Sequence, residues 1–495
     1  MVGAGFGGLT AASLLAKAGR RVLVVERHDR PGGYGHGFRR GRRRFDSAVH
    51  LVGGTTPPRT GEPGHLPGRV LSALGIEAPL IDLDPCYRVV LPGFEITAPA
   101  GVEPFFEAHR AAFPAEEKGL RTLLDECLEL RAETERAAER GALRGGMRPS
   151  EDFPGLVRYR RATLGQMLDR HLQEPELKAA FGALWPYLGL PPSRVSFLYF
   201  ATMLLSYVAD GAAYCRGTFQ TLASLLASAV EDCGGEVLLR GSVRQIVVEE
   251  GRVAGVVLEH GQRIEAPLVI SNADLRQTAF DLLGAEHLPA RTVRRLTALE
   301  PSISAFVVYG STRFDFGAAG IGHETFYFAS PDHEAAWRRT LAGEPDWWTL
   351  TVPSLADPAL APAGEQLFTL TTLMPYAPAE RWRRDKEAHT ERLLAAAEKR
   401  VPGLRAGVTF AEGGTPRTME RYTRNDAGAI YGWALSPEQV GPGRPAAELA
   451  VPGLLLAGHW ARPGGGVYGV MESGVEAARA ALDLPDRATL WNTLG

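Results

Sequence analysis

Gly3-Ala4-Gly5-Phe6-Gly7-Gly8-Leu9-Thr10-Ala11-Ala12 stands at the head of the sequence, and Val22-Leu23-Val24-Val25-Glu26 follows after one helical stretch. Apolar and small residues recur at helical spacing from Leu9 to Ala18 and stop at Gly19, which suits a helix C-cap. In this GxGxxG pattern Gly3 permits a tight turn, Gly5 lets backbone approach a pyrophosphate and Gly8 lets helix and sheet pack closely. The helix N-terminus then presents N–H groups to phosphates. Glu26, 18 residues past Gly8, can accept hydrogen bonds from ribose hydroxyls, favouring FAD or NAD over NADP. A glycine-rich structural turn is the bland alternative. Only Met1 and Val2 precede the turn, so its leading strand is nearly absent, and a true start a few codons upstream is expected.

Two further glycine-rich stretches extend this reading. Arg30-Pro31-Gly32-Gly33-Tyr34-Gly35-His36 follows the ribose acid, and its paired glycines allow the chain to cross under a cofactor without Cβ clashes; a surface turn is the alternative. Near the far end, Leu454-Leu455-Leu456 reads as a buried strand ending at Gly458. A glycine-rich loop leads from there to a helix beginning near Gly469, whose N-terminal amides are free for an electron-rich ligand edge. One large cofactor spanning both ends of the chain accounts for the two sites together.

The rest of the composition narrows the class. At 495 residues the chain exceeds what one core usually supports, so two interleaved domains are expected. A net charge of -3 gives no general attraction for nucleic acid. Cys86, Cys127, Cys215 and Cys233 lack CxxC spacing, which argues against zinc or a disulfide framework and for a reducing cytoplasm. The longest apolar run, 195–208, is shorter than the roughly 20 residues that span a bilayer, and it reads as a buried helix or a surface that meets lipid. The arginines at 39, 40, 42, 43 and 44 read as a solvated hairpin, with phosphate or lipid contact as the alternative. Helical spacing dominates from about 102 to 210. Strands follow at 237–239, 246–248, 253–258 and 268–270, and again within 303–375, before a helix at 386–401.

GAGFGGLTAA, VVERHDRPGGYGHGF, FDSAVHLVGG, VISNAD, GAIYGWALSPEQ and AGHWARPGGGVYGVMESG together resemble the phytoene desaturase family, particularly its carotenoid isomerase and retinol saturase branch. The resemblance runs from residue 3 to 474 and is looser over 102–205 and 295–420. It implies an α/β fold: a Rossmann-type FAD-binding domain of the amine oxidase type with an interleaved α+β substrate domain. The FAD-binding part is expected over 1–95, 210–290 and 420–490, and the substrate part over 96–209 and 291–419. It implies noncovalent FAD, with Gly3, Gly5 and Gly8 at the pyrophosphate, Glu26 and the adjoining Arg27 at the adenosine end, and Gly32 and Gly33 at the diphosphate crossing. Val243 would meet adenine, and Gly458, Gly469 and Val470 the ribityl chain and pyrimidine edge. Tyr34 stands where many relatives carry an arginine, which puts a direct phosphate salt bridge there in doubt.

A flavin performs the hydride chemistry itself, so few catalytic side chains are obligatory. His50, which the resemblance places beside the ring, suits proton exchange, and a purely structural histidine is the competing reading. Tyr468 and Glu472 flank the C-terminal helix and face either the substrate or, for Glu472, the helix dipole as a first-turn acid. Tyr431 and Trp433 are expected to wall the pocket, and Trp347-Trp348 to be core or pocket. The expected activity is oxidoreduction or isomerisation at C–C bonds of an apolar, polyene or isoprenoid-like substrate, in an elongated apolar pocket between the 102–205 helices and the 303–375 sheet. Peripheral membrane contact is a corollary. The alternatives are a flavin amine oxidase-type enzyme and a flavin-free carrier of lipidated partners; intact glycines and Glu26 speak against the carrier.

Overall fold

A computed structural model describes residues 1–55, 64–140 and 149–495; the stretch 141–148 of the helical segment read from the sequence lies outside them. The helix after the glycine turn spans Phe6–Lys17, three residues earlier than its periodicity suggests, because the small residues of the turn are themselves drawn into its first turn. Leu23–Val25 pairs in parallel with Glu236–Leu238, and Val269–Ser271 pairs in parallel with Leu454–Leu456. Val2 bridges both pairs, in parallel with Val25 and Ser271, so the central position of this layer is held by one residue. Parallel strands buried on both faces read as short continuous apolar runs, which is how Leu454–Leu456 was legible.

The helix Gly466–Ala481 lies against Phe6–Lys17, and glycine allows the approach: a Cβ on Gly474 would stand 2.5 Å from Gly7 O. Beside this layer sits an antiparallel meander of Val243–Glu249, Arg252–Leu258 and Arg263–Glu265.

A seven-stranded sheet forms the other half. Its order is 408–414, 304–312, 366–374, 347–351, 324–328, 87–91 and 94–98, antiparallel except between 324–328 and 87–91. Tyr87–Leu91 and Phe94–Ala98, from the first 98 residues, thus join strands of the chain's second half. Period-two alternation gives the sheet two apolar faces. Phe306, Val308, Trp348, Leu350, Phe368 and Leu370 pack with Trp382, Leu393 and Leu394 of the helix Ala379–Arg400. Each such side chain contributes about 1.5–3 kcal/mol relative to exposure. Their neighbours Ala305, Val307, Tyr309, Trp347, Thr349 and Thr371 face a cavity instead.

Trp347 and Trp348 are therefore split, one in the pocket and one in the core, where Trp348 stacks on Tyr327 at 4.2 Å. The helix at 386–401 starts at Ala379, earlier than read, because Trp382 is the single large apolar residue of its otherwise charged first two turns and one residue shows no period.

The helical layer comprises Val102–Ala112, Glu117–Glu139, Pro154–Tyr159, Leu164–His171, Pro175–Phe181 and Phe197–Val208. Thr163 and Gln166 form a capping box, and Ser196 caps the apolar helix, whose Phe197, Phe200, Ala201, Leu204 and Leu205 are buried. That run is a core helix, and no helix among the described residues is long and apolar enough to cross a membrane. The arginine run does form a hairpin, Gly37–Arg40 with Arg43–Asp46. It is only partly solvated: Arg40 pairs with Glu412 at 2.6 Å, Arg43 with Glu365 at 2.7 Å, and Arg44 donates to Ala359 O, while Arg39 and Arg42 are exposed. Glu412 and Glu365 of the seven-stranded half take up part of the charge that the sequence alone left to solvent, phosphate or lipid.

Candidate active site

The two ends of the chain meet over one side chain, Asn272. A Cβ on Gly5 would lie 2.7 Å from its Nδ2, on Gly7 2.9 Å from its Oδ1 and 2.7 Å from Gly458 Cα, and on Gly458, at φ +88°, 2.4 Å from Oδ1. Only glycine fits at these positions, and the result is a bare backbone seam between the first helix and the C-terminal loop. Gly8 serves the neighbouring contact, since its Cβ would press on Gly3 O at 2.4 Å; it packs the turn rather than lining the cavity. Asn272 lies in the VISNAD stretch, whose family likeness was the only sequence signal for it.

Both helices that open at this seam begin with an uncapped glycine. Phe6–Lys17 has Gly5 and Gly466–Ala481 has Gly465 at the N-cap, neither helix carries an acid in its first turn, and both N-termini border the same cavity. Orphan N–H groups and two positive helix ends thus converge where a phosphate and an electron-rich ring edge can take them up.

The helix Gly466–Ala481 begins one turn before Gly469, which lies inside the first turn, where a Cβ would meet Gly464 O at 2.8 Å. Glu26 ends its strand with both oxygens bound by backbone, Ala4 N to Oε2 and His28 N to Oε1, each at 2.8 Å. Arg27 instead donates to the carbonyls of Arg421 and Tyr422. Gly32, at φ +129°, bridges Gly5, and Gly33 would bring a Cβ to 3.1 Å from Gly5 Cα. Gly241 N donates to Glu26 O, which sets Val243 beside the acid.

One cavity of about 1150 Å³ joins these groups. It is lined by Gly3, Gly5, Glu26, Arg27, Gly32, Gly33, Val243, Gly458, Gly469 and Val470 at one end and continues between the helical layer and the seven-stranded sheet, past Phe153, Leu156, Leu198, Met203, Val307 and Trp347. Such a volume exceeds the roughly 300–1000 Å³ of a usual single-ligand pocket, leaving room for a cofactor and a substrate together. Tyr34 lines it and donates to Ala429 O at 3.0 Å. Tyr431 walls it as expected, but Trp433 does not: its indole N–H is held by Trp460 O, behind the wall.

His50, Tyr468 and Glu472 also border the cavity. Glu472 lies beyond the first turn of its helix, so it is no first-turn acid, and its Oε1 accepts from Arg487 Nη2 at 2.6 Å. Burial pushes the Tyr468 phenol up. His50 holds Ala48 O at 2.8 Å through Nδ1 and meets the Tyr187 hydroxyl at 2.8 Å through Nε2; Tyr187 in turn contacts Glu324 Oε1 at 2.7 Å. Burial raises Glu324 above the usual carboxylate range. Tyr187 and Glu324 escaped the sequence reading, because one tyrosine in an apolar turn and one acid opening a strand carry no motif. Asp46, accepting from Tyr214 and Phe219 N, is pushed up to about 6 by burial.

Glycine backbone and two open helix ends at one end of a largely apolar cavity, with His50, Tyr468 and Glu472 on its wall, mark a flavin-dependent oxidoreductase with FAD as cofactor. The model of the family described as flavin containing amine oxidoreductase matches residues 6–482, and the chain belongs to that family. It is 28% identical over 516 residues to the neurosporene-forming phytoene desaturase of Rhodobacter capsulatus, covering 99% of this chain and 94% of the relative. It is 26% identical to the all-trans-retinol 13,14-reductase of Rattus norvegicus, over 93% and 81% of the two chains, and 26% identical to the chloroplastic prolycopene isomerase of Daucus carota, over 98% and 80%. Among solved structures, an oxidoreductase from Methanosarcina mazei matches with a TM-score of 0.64 at 19% identity, covering 97% of this chain and 99% of that one. These likenesses support the suspected desaturase, isomerase and saturase branch and set aside the flavin-free carrier.

Proposed function

We propose that the protein oxidises, reduces or isomerises C–C bonds of a long apolar substrate, polyene or isoprenoid-like, bound beside noncovalent FAD. The observation that carries this reading is the cavity's continuation from the glycine seam into a tunnel walled by Leu156, Leu198, Met203, Val307 and Trp347. An amine substrate would call for a polar or acidic pocket, whereas an extended hydrocarbon gains from burial along the whole tunnel. The names of the curated relatives, a phytoene desaturase, a retinol reductase and a prolycopene isomerase, favour the same substrate class.

In this reading Gly3 and Gly5 approach the pyrophosphate, Gly8 packs the turn that presents them, Glu26 takes the adenosine ribose, Val243 meets adenine, and Gly32 and Gly33 let the chain cross the diphosphate. Gly458, Gly469 and Val470 lie along the flavin. The bound flavin supplies the two-electron carrier, and the protein positions the substrate and excludes water. His50 handles a proton. Tyr468 faces the substrate, while Glu472, tied to Arg487, fixes the helix that bears it.

The test is an anaerobic screen of the flavin-replete protein. Phytoene is mixed with the oxidised enzyme, and prolycopene and all-trans-retinol with the reduced enzyme, each in phosphatidylcholine vesicles, followed by flavin absorbance and product chromatography. Conversion of at least one polyene is expected. Inertness towards all three, with conversion of an amine, would overturn the reading.

A further inference from the structure

His50, Tyr187 and Glu324 form a chain of hydrogen bonds that ends in a buried acid. Tyr187 and His50 stand on the cavity wall, whereas the Glu324 side chain is wholly inaccessible. The phenol oxygen lies 2.8 Å from His50 Nε2 and 2.7 Å from Glu324 Oε1, and Glu324 Oε2, 3.5 Å from His50 Nε2, has no hydrogen-bond partner among the described residues. His323 donates to His50 O at 3.0 Å and holds the backbone in place. The ring of Tyr187 packs on Phe326 at 5.0 Å, so the hydroxyl is aimed rather than free.

The positions of the protons follow from the partners. Ala48 O only accepts, so His50 Nδ1 carries a hydrogen. If the ring is an imidazolium, Nε2 donates to Tyr187 and Tyr187 donates to a Glu324 carboxylate. If the ring is neutral, Tyr187 donates to Nε2 and a protonated Glu324 donates to Tyr187. The two arrangements hold the same number of protons and differ only in whether one sits on His50 Nε2 or on Glu324, a difference made by hops across the phenol oxygen. Removing one proton leaves a neutral ring, with Tyr187 donating to the carboxylate. The chain therefore takes up and releases one proton without moving a side chain. Tyr207 and Tyr431 act on Tyr187, Asp46 and His323 face His50, and His50, Tyr187 and Thr351 act on Glu324, with no lysine or arginine among these neighbours.

We propose that Tyr187 is a catalytic residue that passes a proton between a substrate carbon and this chain, with Glu324 as the positioning residue that receives the phenol proton. The proposal rests on the polyene reading above. In desaturation a bound FAD would supply the two-electron acceptor for the hydride of one C–H. The adjacent C–H leaves as a proton to Tyr187 Oη while the phenol proton moves to Glu324 Oε1, and the electron pair left behind becomes the C=C bond. Saturation runs the same transfers backwards.

The test compares flavin-replete wild type with Tyr187→Phe, Glu324→Gln and Glu324→Asp. Without substrate, infrared spectra across the neutral pH range should contain a protonated-carboxyl band that Glu324→Gln removes and Tyr187→Phe shifts in its titration midpoint. A band that is absent, or unchanged in Tyr187→Phe, overturns the proton chain. With phytoene vesicles, flavin reduction in Tyr187→Phe should slow by about 100- to 10,000-fold at unchanged flavin content and melting temperature. Glu324→Gln should shift the pH profile, and Glu324→Asp should restore part of it. Reduction of Tyr187→Phe at the wild-type rate overturns the catalytic assignment. If wild type itself leaves phytoene untouched, the desaturating direction fails, and the infrared comparison alone decides whether the chain exists.

Discussion

His50 draws its importance from what it is tied to rather than from its own exposure. Its two ring nitrogens are both engaged, one by a carbonyl and one by a phenol, so replacing it removes a proton seat and a wall contact together. His50→Gln is expected to slow flavin reduction by polyene about 100- to 10,000-fold if the role is chemical. A variant that loses flavin affinity or melting temperature, but whose remaining flavin is reduced at the wild-type rate, would mark a structural histidine. Gly458→Val makes a sharper residue-scale prediction: at φ +88° with Asn272 Oδ1 2.4 Å from its Cβ, valine forces the C-terminal loop off the first helix. The purified variant should hold little flavin, read as the ratio of flavin to protein absorbance; near-stoichiometric flavin would contradict the seam. Glycine positions were legible in the sequence because their demand is local and periodic. Tyr187, Glu324 and Asn272 were not, because their meaning comes from neighbours more than a hundred residues away.

At the scale of elements, the contact between Phe6–Lys17 and Gly466–Ala481 couples the N-terminal turn to the C-terminal loop. Gly474 sits in that contact with Gly7 O 2.5 Å from its Cβ position. Gly474→Val should cost about 1–3 kcal/mol through overpacking and lower flavin content at the same time. Denaturant unfolding and flavin release should shift together, and a loss of stability with full flavin retention would uncouple the two helices. Element type was readable wherever a period repeated: Ser304–Thr312 and Gln366–Met374 announce themselves as apolar runs. Boundaries failed where no apolar period formed, as at Ala379, whose first turns hold Trp382 alone among charged residues, and at Gly466, where glycine belongs equally to loop and helix.

Across the whole molecule, burial of titratable groups sets an acid limit on stability. Burial first of all pushes His36, His109 and His323 down to about 4, and His333 and His459 down to about 3. Between the unfolded value near 6.5 and these folded values the unfolded chain binds more protons, so stability falls as pH falls. Asp46 and Asp274, both raised by burial to about 6, act in the opposite sense between roughly pH 4 and 6, since there the native state holds the extra proton. Burial lowers His389 to about 4 as well and raises Glu324, Asp210 and Asp346 alongside the two aspartates, but the imidazoles shift further than Asp46 and Asp274, so the melting temperature should be lower at about pH 5 than at about pH 7.5; a rise towards acid would show that the carboxyls dominate.

The cavity, at about 1150 Å³, has room for a flavin beside an extended apolar substrate. The most direct measurement of that pairing is anaerobic rapid mixing of the oxidised, flavin-replete protein with phytoene in phosphatidylcholine vesicles, with putrescine as the competing substrate class. Phytoene should bleach the flavin and yield a product with a longer conjugated chain, and putrescine should leave the flavin oxidised. Bleaching by putrescine with phytoene left unchanged would contradict that pairing.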